Sequence, residues 1–308
     1  MENMLAFDKN QRIFTIGNVK VGGQPGELPT VLIGSIFYQR HSIVEDAENG
    51  VFDKRKAETL INNQETFSDM TGNPSMVDVV GLTEMAIKKY IDFVAEITDA
   101  PILVDSTSLN VKIAGIKHAE ETGLLSRVIY NSITRHVTEN EVNELKKMNV
   151  KSAVIMSYNP RNPWPVGRIE VLKGTSSEKG LLQISEEAGI ENLLVDTAVL
   201  DTPSIGLAAE AAYLVKKEFG IPSGGGPLNA VLEWKKVKSL GKYAEIVCSA
   251  TAVTAMQQSG ADFIFYGPIG KAAVIFPAAA MTDGLMAYTA RLQQVSVKTE
   301  SHPLYKIF

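Results

Sequence analysis

The chain has one cysteine, Cys248, so no disulfide can close within it and no cysteine-rich metal site can be built. Cys248 falls in Ala244-Glu-Ile-Val-Cys-Ser-Ala-Thr-Ala252, an apolar pattern of helical type, where a thiol is expected to be buried and inert. Histidine is almost as scarce. The four present are scattered, with none of the spacings that ligate zinc, so no metal is expected. Lysine and arginine are outnumbered by acids, giving a net charge of −5, and they do not cluster. Nucleic acid and anionic membranes are therefore poor partners. No run of about 18 apolar residues stands out, so no membrane-spanning segment is expected. The first ten residues carry charges and lack an apolar core, which argues against a secretory leader. A cytoplasmic protein is the reading.

The 308 residues are enough for a large core. The most informative stretch is Asn192-Leu-Leu-Val-Asp-Thr197. Its apolar run does not alternate, which marks a strand buried on both faces, and it ends in a carboxylate. The same grammar recurs in Met76-Val-Asp78-Val-Val80, Pro101-Ile-Leu-Val-Asp105 and Arg127-Val-Ile-Tyr-Asn131. Asp78, Asp105 and Asn131 follow one another at intervals of 26 or 27 residues, enough for one strand, one helix and two loops. Eight such strands are read: 30–37, 75–80, 102–105, 128–131, 153–157, 192–196, 220–223 and 262–266. Each is followed by a helical pattern; Ile87, Tyr90, Ile91 and Val94 show the i, i+3, i+4, i+7 spacing clearly. The expected fold is α/β, an eight-fold (β/α)8 TIM barrel. A hairpin over residues 5–22, turning at Gly17-Asn18, precedes it and is expected to plug its base. No linker interrupts the chain, so residues 1–308 are read as one domain. A doubly wound open sheet is the alternative, but the turn after the first strand, Phe37-Tyr-Gln-Arg-His41, lacks the glycines that fold uses for phosphate.

Barrel sites form at the C-terminal ends of the strands. Asp105, Asn131, Ser157, Asp196, Ser223 and Tyr266 are expected there, and Asp78, two residues before its strand's end, is expected to point into the mouth. An aspartate at a strand end can also cap the next helix. Four such carboxylates and amides together fit a binding site better. The set has acceptors and few cations, which suits a neutral heterocycle with several N–H donors rather than a phosphate. A reduced pterin is such a ligand, since a carboxylate can take two adjacent N–H groups at once.

These residues resemble a known pattern. Asp78-Val-Val-Gly81, Val104-Asp105-Ser106-Thr107, Tyr130-Asn131-Ser132 and Val195-Asp196 are similar to strand ends shared by pterin-binding barrels. Dihydropteroate synthases and methyltetrahydrofolate:corrinoid methyltransferases are such barrels. Gly226-Pro-Leu-Asn229 is similar to the latter's Gly-x-x-Asn. Phe7-Asp-Lys-Asn-Gln11, Gly22-Gly-Gln-Pro-Gly-Glu27 and Thr30-Val-Leu-Ile-Gly-Ser-Ile-Phe-Tyr38 resemble the opening of one family in particular. It comprises the H subunits of tetrahydromethanopterin S-methyltransferase and their bacterial relatives.

The resemblance implies transfer of a methyl group between N5 of tetrahydrofolate and the cobalt of cobalamin, a corrinoid held on a partner protein. It implies that Asn229 contacts N5, that Asp105, Asn131 and Asp196 fix the ring, with Ser223 beside them, and that Asp78 supports them. A homodimer is also implied. The alternatives left open are a tetrahydromethanopterin-dependent subunit of an archaeal membrane complex, a dihydropteroate synthase (whose Lys-Ser pair on the seventh strand is missing) and a docking subunit without catalysis. Arg40-His41 and Arg135-His136 are read as surface charges or as contacts for a substrate tail or a docking protein. Gly267-Pro-Ile-Gly-Lys271 is read as a tight turn opening the last helix. Trp164, among prolines, is read as a lid, a partner contact or a packed anchor.

Overall fold

The structure is a computed structural model that describes residues 6–308. Residue 5, where the hairpin was expected to begin, and the first residues of the leader reading lie outside them. In chain order, β1 (Ile13–Ile16) and β2 (Val19–Gly22) form the expected hairpin, turning at Gly17, whose φ of 55° is readily adopted by glycine. Next come β3 (Val31–Ile36), a small hairpin of β4 (Val44–Asp46) and β5 (Val51–Phe52), and α1 (Lys54–Thr71). The regular alternation then follows: β6 (Ser75–Val80), α2 (Glu84–Ile97), β7 (Ile102–Asp105), α3 (Leu109–Glu121), β8 (Val128–Ile133) and α4 (Glu139–Lys147). It continues with β9 (Ser152–Met156), α5 (Pro165–Lys173), α6 (Leu181–Glu187), β10 (Asn192–Asp196) and α7 (Ser204–Phe219). The chain closes with β11 (Ser223–Gly225), α8 (Pro227–Glu233), α9 (Ala244–Gln258), β12 (Phe263–Pro268), α10 (Ala272–Ala290) and α11 (Pro303–Lys306).

β3, β6, β7, β8, β9, β10, β11 and β12 are all parallel and close on themselves, β12 pairing with β3. This is the (β/α)8 barrel the strand spacing implies. Helix starts are fixed locally. Asp53, Thr83 and Thr138 each accept a backbone N–H three residues on, at 3.1–3.2 Å, which satisfies donors a helix cannot pair itself.

Two cores lie on either side of the strands. Outward residues meet the helices. Inward residues pack in layers: Val31, Ile33, Met76, Leu103, Ile129, Val154, Leu194 and Phe263 are buried together with Ile16, Val19 and Val21 of the hairpin. The first hairpin therefore seals the bottom of the barrel.

Two expectations are corrected. The seventh strand begins at Ser223 instead of ending there, because Gly220 still caps α7 in the left-handed conformation (φ 64°) and the turn continues through Pro222. The segment Ile269–Gln293 is long and apolar enough, by length and composition, to cross a membrane. In the fold its central helix α10 packs on α9 and α1 as a barrel helix, with more than half of it buried.

Candidate active site at the barrel mouth

Strand residues alternate sides, so the inward row of each strand continues upward every second residue. Val31 and Ile33 lead to Ser35, Met76 to Asp78, Leu103 to Asp105, Ile129 to Asn131, and Leu194 to Asp196. The apolar rows of the core thus turn polar at the mouth. There they line a cavity of about 650 Å³ together with Asn229, on the first turn of α8. No lysine or arginine is among the described residues lining it.

Parity also decides what stays out. Ser157 and Tyr266 point away from the interior. Ser157 Oγ donates to the Asp196 carbonyl at 3.2 Å, and the Tyr266 hydroxyl donates to Gln64 of α1. Ser223 is completely buried, and its hydroxyl donates to the Ala212 carbonyl of α7 at 3.1 Å. Its placement in the ring-binding set is therefore corrected: with the strand starting at Ser223, the residue lies below the mouth and faces outward.

Asp78 is a junction. Ser35 Oγ donates to its Oδ2 at 2.7 Å and Asn131 Nδ2 to its Oδ1 at 3.1 Å. Burial raises its pKa to about 6, against the two hydrogen bonds that lower it. Asp105 sits beside Asn131 in register. Burial, then the neighbouring Asp78 charge, pushes its pKa well above the carboxylate range, although the Lys112 ammonium opposes this. Burial raises Asp196 to about 6, while the Ala198 N–H, which donates to Oδ1 at 2.8 Å, and the Arg168 charge lower it. Burial thus raises all three acids, and of these Asp105 and Asp196 keep carboxylate oxygens free for a ligand with N–H donors.

Arg168 of α5 has no exposed surface and escaped sequence reading altogether. Its Nε donates to the Thr197 carbonyl at 2.6 Å, one Nη to Ala198 at 3.0 Å and the other to Pro163. It therefore pins the turn at Ala198 (φ 55°), a left-handed conformation that a side chain rarely adopts. Ser35 was missed as well, although its place in the inward row of β3 was readable. Tyr38 also borders the mouth, its ring stacked on His41 with centroids 4.3 Å apart. His41 is buried and accepts the Phe37 N–H at Nδ1 (3.2 Å), so it is no surface charge. Arg135 donates to Asn159 at 3.3 Å, outside the cavity. Trp164 precedes α5 and is largely exposed, not packed. Gly267 adopts φ 69° and leads through a short 3-10 turn into α10, as the sequence implied. Cys248 is half-buried on α9.

The barrel places the chain in a class of solved folds. It superposes on dihydropteroate synthase of Xanthomonas albilineans with a TM-score of 0.59, covering 90% of this chain and 98% of that one at 14% identity. The Thermus thermophilus dihydropteroate synthase follows with a TM-score of 0.55. At such identities the shared property is the (β/α)8 fold.

The family is set by sequence. Residues 9–299 match the family of the tetrahydromethanopterin S-methyltransferase MtrH subunit, and the chain belongs to it. The H subunit of tetrahydromethanopterin S-methyltransferase from Methanothermobacter marburgensis is 42% identical over 99% of this chain and all of its own length. That from Methanopyrus kandleri is 42% identical over 96% of this chain and 97% of its own. That from Methanosarcina barkeri is 39% identical over 99% and 100%. This is a family of methyltransferase subunits.

Proposed function

We propose that the chain is a methyltransferase that binds a reduced pterin in the mouth cavity and exchanges the methyl on its N5 with the cobalt of a corrinoid protein. The observation that supports this most is the convergence of Asp105, Asn131, Asp196 and Asn229 on one cavity with no cation among the described residues lining it. Two carboxylates and the Asn131 amide there match the N–H-rich edge of a pterin, which leaves Asn229 for N5. In the transfer, the bond from the methyl carbon to N5 breaks as that carbon bonds to cobalt(I); the electron pair stays on N5, which takes up a proton from solvent and leaves as the neutral secondary amine. Asp105, Asn131 and Asp196 hold the ring, Asn229 faces N5, and Asp78 orients Asn131. The protein's work is then chiefly alignment of the two partners.

Tetrahydrofolate is the pterin the bacterial resemblance implies. Tetrahydromethanopterin is the second reading, favoured by the names of the 39–42% identical relatives. A cytoplasmic protein acting on a separate corrinoid protein belongs to the first reading, and a membrane-complex subunit to the second.

The homodimer has its own support. Along α10 and just past it, Ala273, Pro277, Met281, Leu285, Tyr288 and Leu292 form an exposed, mostly apolar stripe, with one charge at its end, Arg291, over the Tyr288 ring at 5.2 Å. A surface helix facing water ordinarily carries its charges there. Met281→Glu with Leu285→Glu should halve the mass measured by sedimentation. An unchanged mass would remove that interface.

The test of the activity is optical. The protein is mixed, without oxygen, with the methylated pterin and chemically reduced cob(I)alamin, and conversion to methylcobalamin is followed by absorbance. Protein-dependent conversion with methyltetrahydrofolate supports the first reading, and conversion with methyltetrahydromethanopterin alone supports the second. Neither conversion nor binding of either pterin would leave only the docking-subunit alternative.

A further inference from the structure

A second hollow, of about 620 Å³, lies against the mouth cavity. Leu200 and Glu233 border both, so these two side chains form the shared edge. Pro203, Ala230 and Trp234 give the hollow apolar walls, and Lys235 and Lys236, both exposed, line it but not the mouth cavity. The hollow is braced. Thr202 Oγ1 donates to the Ala230 carbonyl at 3.0 Å, tying the loop after β10 to α8. Ser204 Oγ accepts the N–H groups of Leu200 and Asp201, each at 2.9 Å. Asp201, the other acid on the wall, is occupied in return by the Ser204 N–H at 2.9 Å.

The path between the two spaces follows from covalent structure. A reduced pterin carries its substituent on C6, the ring carbon bonded to N5. With Asn229 at N5, that substituent leaves the ring beside Asn229. Glu233 lies one helical turn further along the same face of α8. A chain leaving C6 is thereby led along α8, past Glu233, into the second hollow. Both tetrahydrofolate and tetrahydromethanopterin attach their tails through an arylamine, whose N–H a carboxylate at Glu233 can accept. Next comes an aryl ring, which suits Trp234 and Leu200. Both tails end in anions, which suit Lys235 and Lys236.

We propose that this hollow is the subsite for the substrate's tail, taking an aryl ring against Trp234 and Leu200 and an anionic end group at Lys235 and Lys236. The proposal rests on the pterin reading of the mouth cavity and adds what selects among pterins.

The test is calorimetric binding of three ligands to the full-length protein: 6-methyltetrahydropterin, which has the head and no tail, tetrahydrofolate and tetrahydromethanopterin. The variant is Lys235→Glu with Lys236→Glu, two exposed positions whose exchange leaves the core untouched. Wild-type protein should bind a tailed ligand more tightly than the head alone. The variant should bind the head unchanged and the tailed ligand about tenfold more weakly, because charge reversal replaces two attractions with two repulsions. Whichever tailed ligand shows that loss is the one the hollow accepts. Trp234→Ala should weaken the same ligand at high salt, where the lysines are screened. Equal affinity of head and tailed ligands, or an equal loss for both in the variant, overturns the subsite while the pterin reading stands. Failure of wild-type protein to bind even the head overturns the pterin reading itself.

Discussion

Asn131 hydrogen-bonds Asp78 at 3.1 Å although a complete strand, β7, lies between theirs in the barrel. The contact fixes the amide's direction. A carboxylate can only accept, so the NH2 faces Asp78 and the carbonyl oxygen is left for a ligand. Ser35 occupies the other Asp78 oxygen at 2.7 Å. Asp78 is thus engaged on both oxygens by the protein itself, and its part in the proposed activity is to orient Asn131.

Asp78→Ala tests that division. It removes the acceptor that holds the Asn131 NH2 and leaves that amide free to turn. Pterin binding should weaken by about tenfold, the cost of one misdirected hydrogen bond, with the fold intact by circular dichroism. Asn131→Asp should weaken binding at least as much, by bringing a second acceptor against Asp78. If calorimetry shows wild-type affinity in both, the pair does not orient the ligand.

The acids of the mouth make binding pH-dependent. Of the acids assigned to the ring, Asp196 is raised to about 6 and Asp105 well above its ordinary value, both first by burial. A protonated carboxyl cannot accept two N–H bonds. Pterin affinity should therefore rise as pH climbs through about 6, with proton release on binding. Calorimetry in two buffers of different ionisation enthalpy, from pH 5 to 8, measures both. Flat affinity with no proton exchange would contradict it.

The same shift carries a stability cost. Asp196 has a folded pKa of about 6, above its unfolded value. The folded state therefore holds the extra proton between the two values, and stability drops as pH rises through that window. The loss is about 2 kcal/mol, allowing for partial exposure. Asp196→Asn keeps the acceptor for the Ala198 N–H and removes the ionisation. Its melting temperature should exceed that of wild type at pH 7.5 and converge with it near pH 4, while pterin binding is lost. A variant less stable than wild type at pH 7.5 would show that the ionised carboxylate stabilises the fold.

The limits of sequence reading are visible in single residues. Asp105, Asn131 and Asp196 were legible because each ends an apolar run and shares the inward row of the core residue two positions earlier. Ser223 and Tyr266 look the same by position but fail by parity, which a strand misplaced by a few residues cannot reveal. Ser35 was open to the same parity argument but sits in a strand without a carboxylate. Arg168 left no trace. A fully buried arginine bonded only to backbone carbonyls has no pattern in the chain, because its partners at 163, 197 and 198 are set by how two barrel loops meet.

Arg168→Met separates its two effects. Two buried carbonyls, at Thr197 and Ala198, and the part-buried one of Pro163 lose their donor, which should cost about 3 kcal/mol and appear in urea unfolding. The charge near Asp196 also goes, so the carboxylate's pKa should climb further and the pH at which pterin binding sets in should move up. A purely structural arginine would lower stability and leave that pH midpoint in place.

Gly267 offers a way to move Asn229 without mutating it. Gly267 adopts φ 69°, and a Cβ there would stand 2.4 Å from Asn229 Oδ1, with the Asn229 Cγ at 3.4 Å. The first is too close, but the obstacle is the end of one side chain, which can turn away. Gly267→Ala should cost about 1 kcal/mol for the left-handed backbone and swing the Asn229 amide off its place. The groups assigned to the ring, Asp105, Asn131 and Asp196, stand on other strands and are untouched. Pterin affinity should stay within about twofold while methyl transfer to cob(I)alamin slows by about a hundredfold, as expected when one positioned group is displaced by an ångström. Asn229→Ala should behave alike, and combining the two should add little, because both remove the same contact. If Gly267→Ala transfers methyl at the wild-type rate, or if the double variant is much slower than either, Asn229 is not the group at N5.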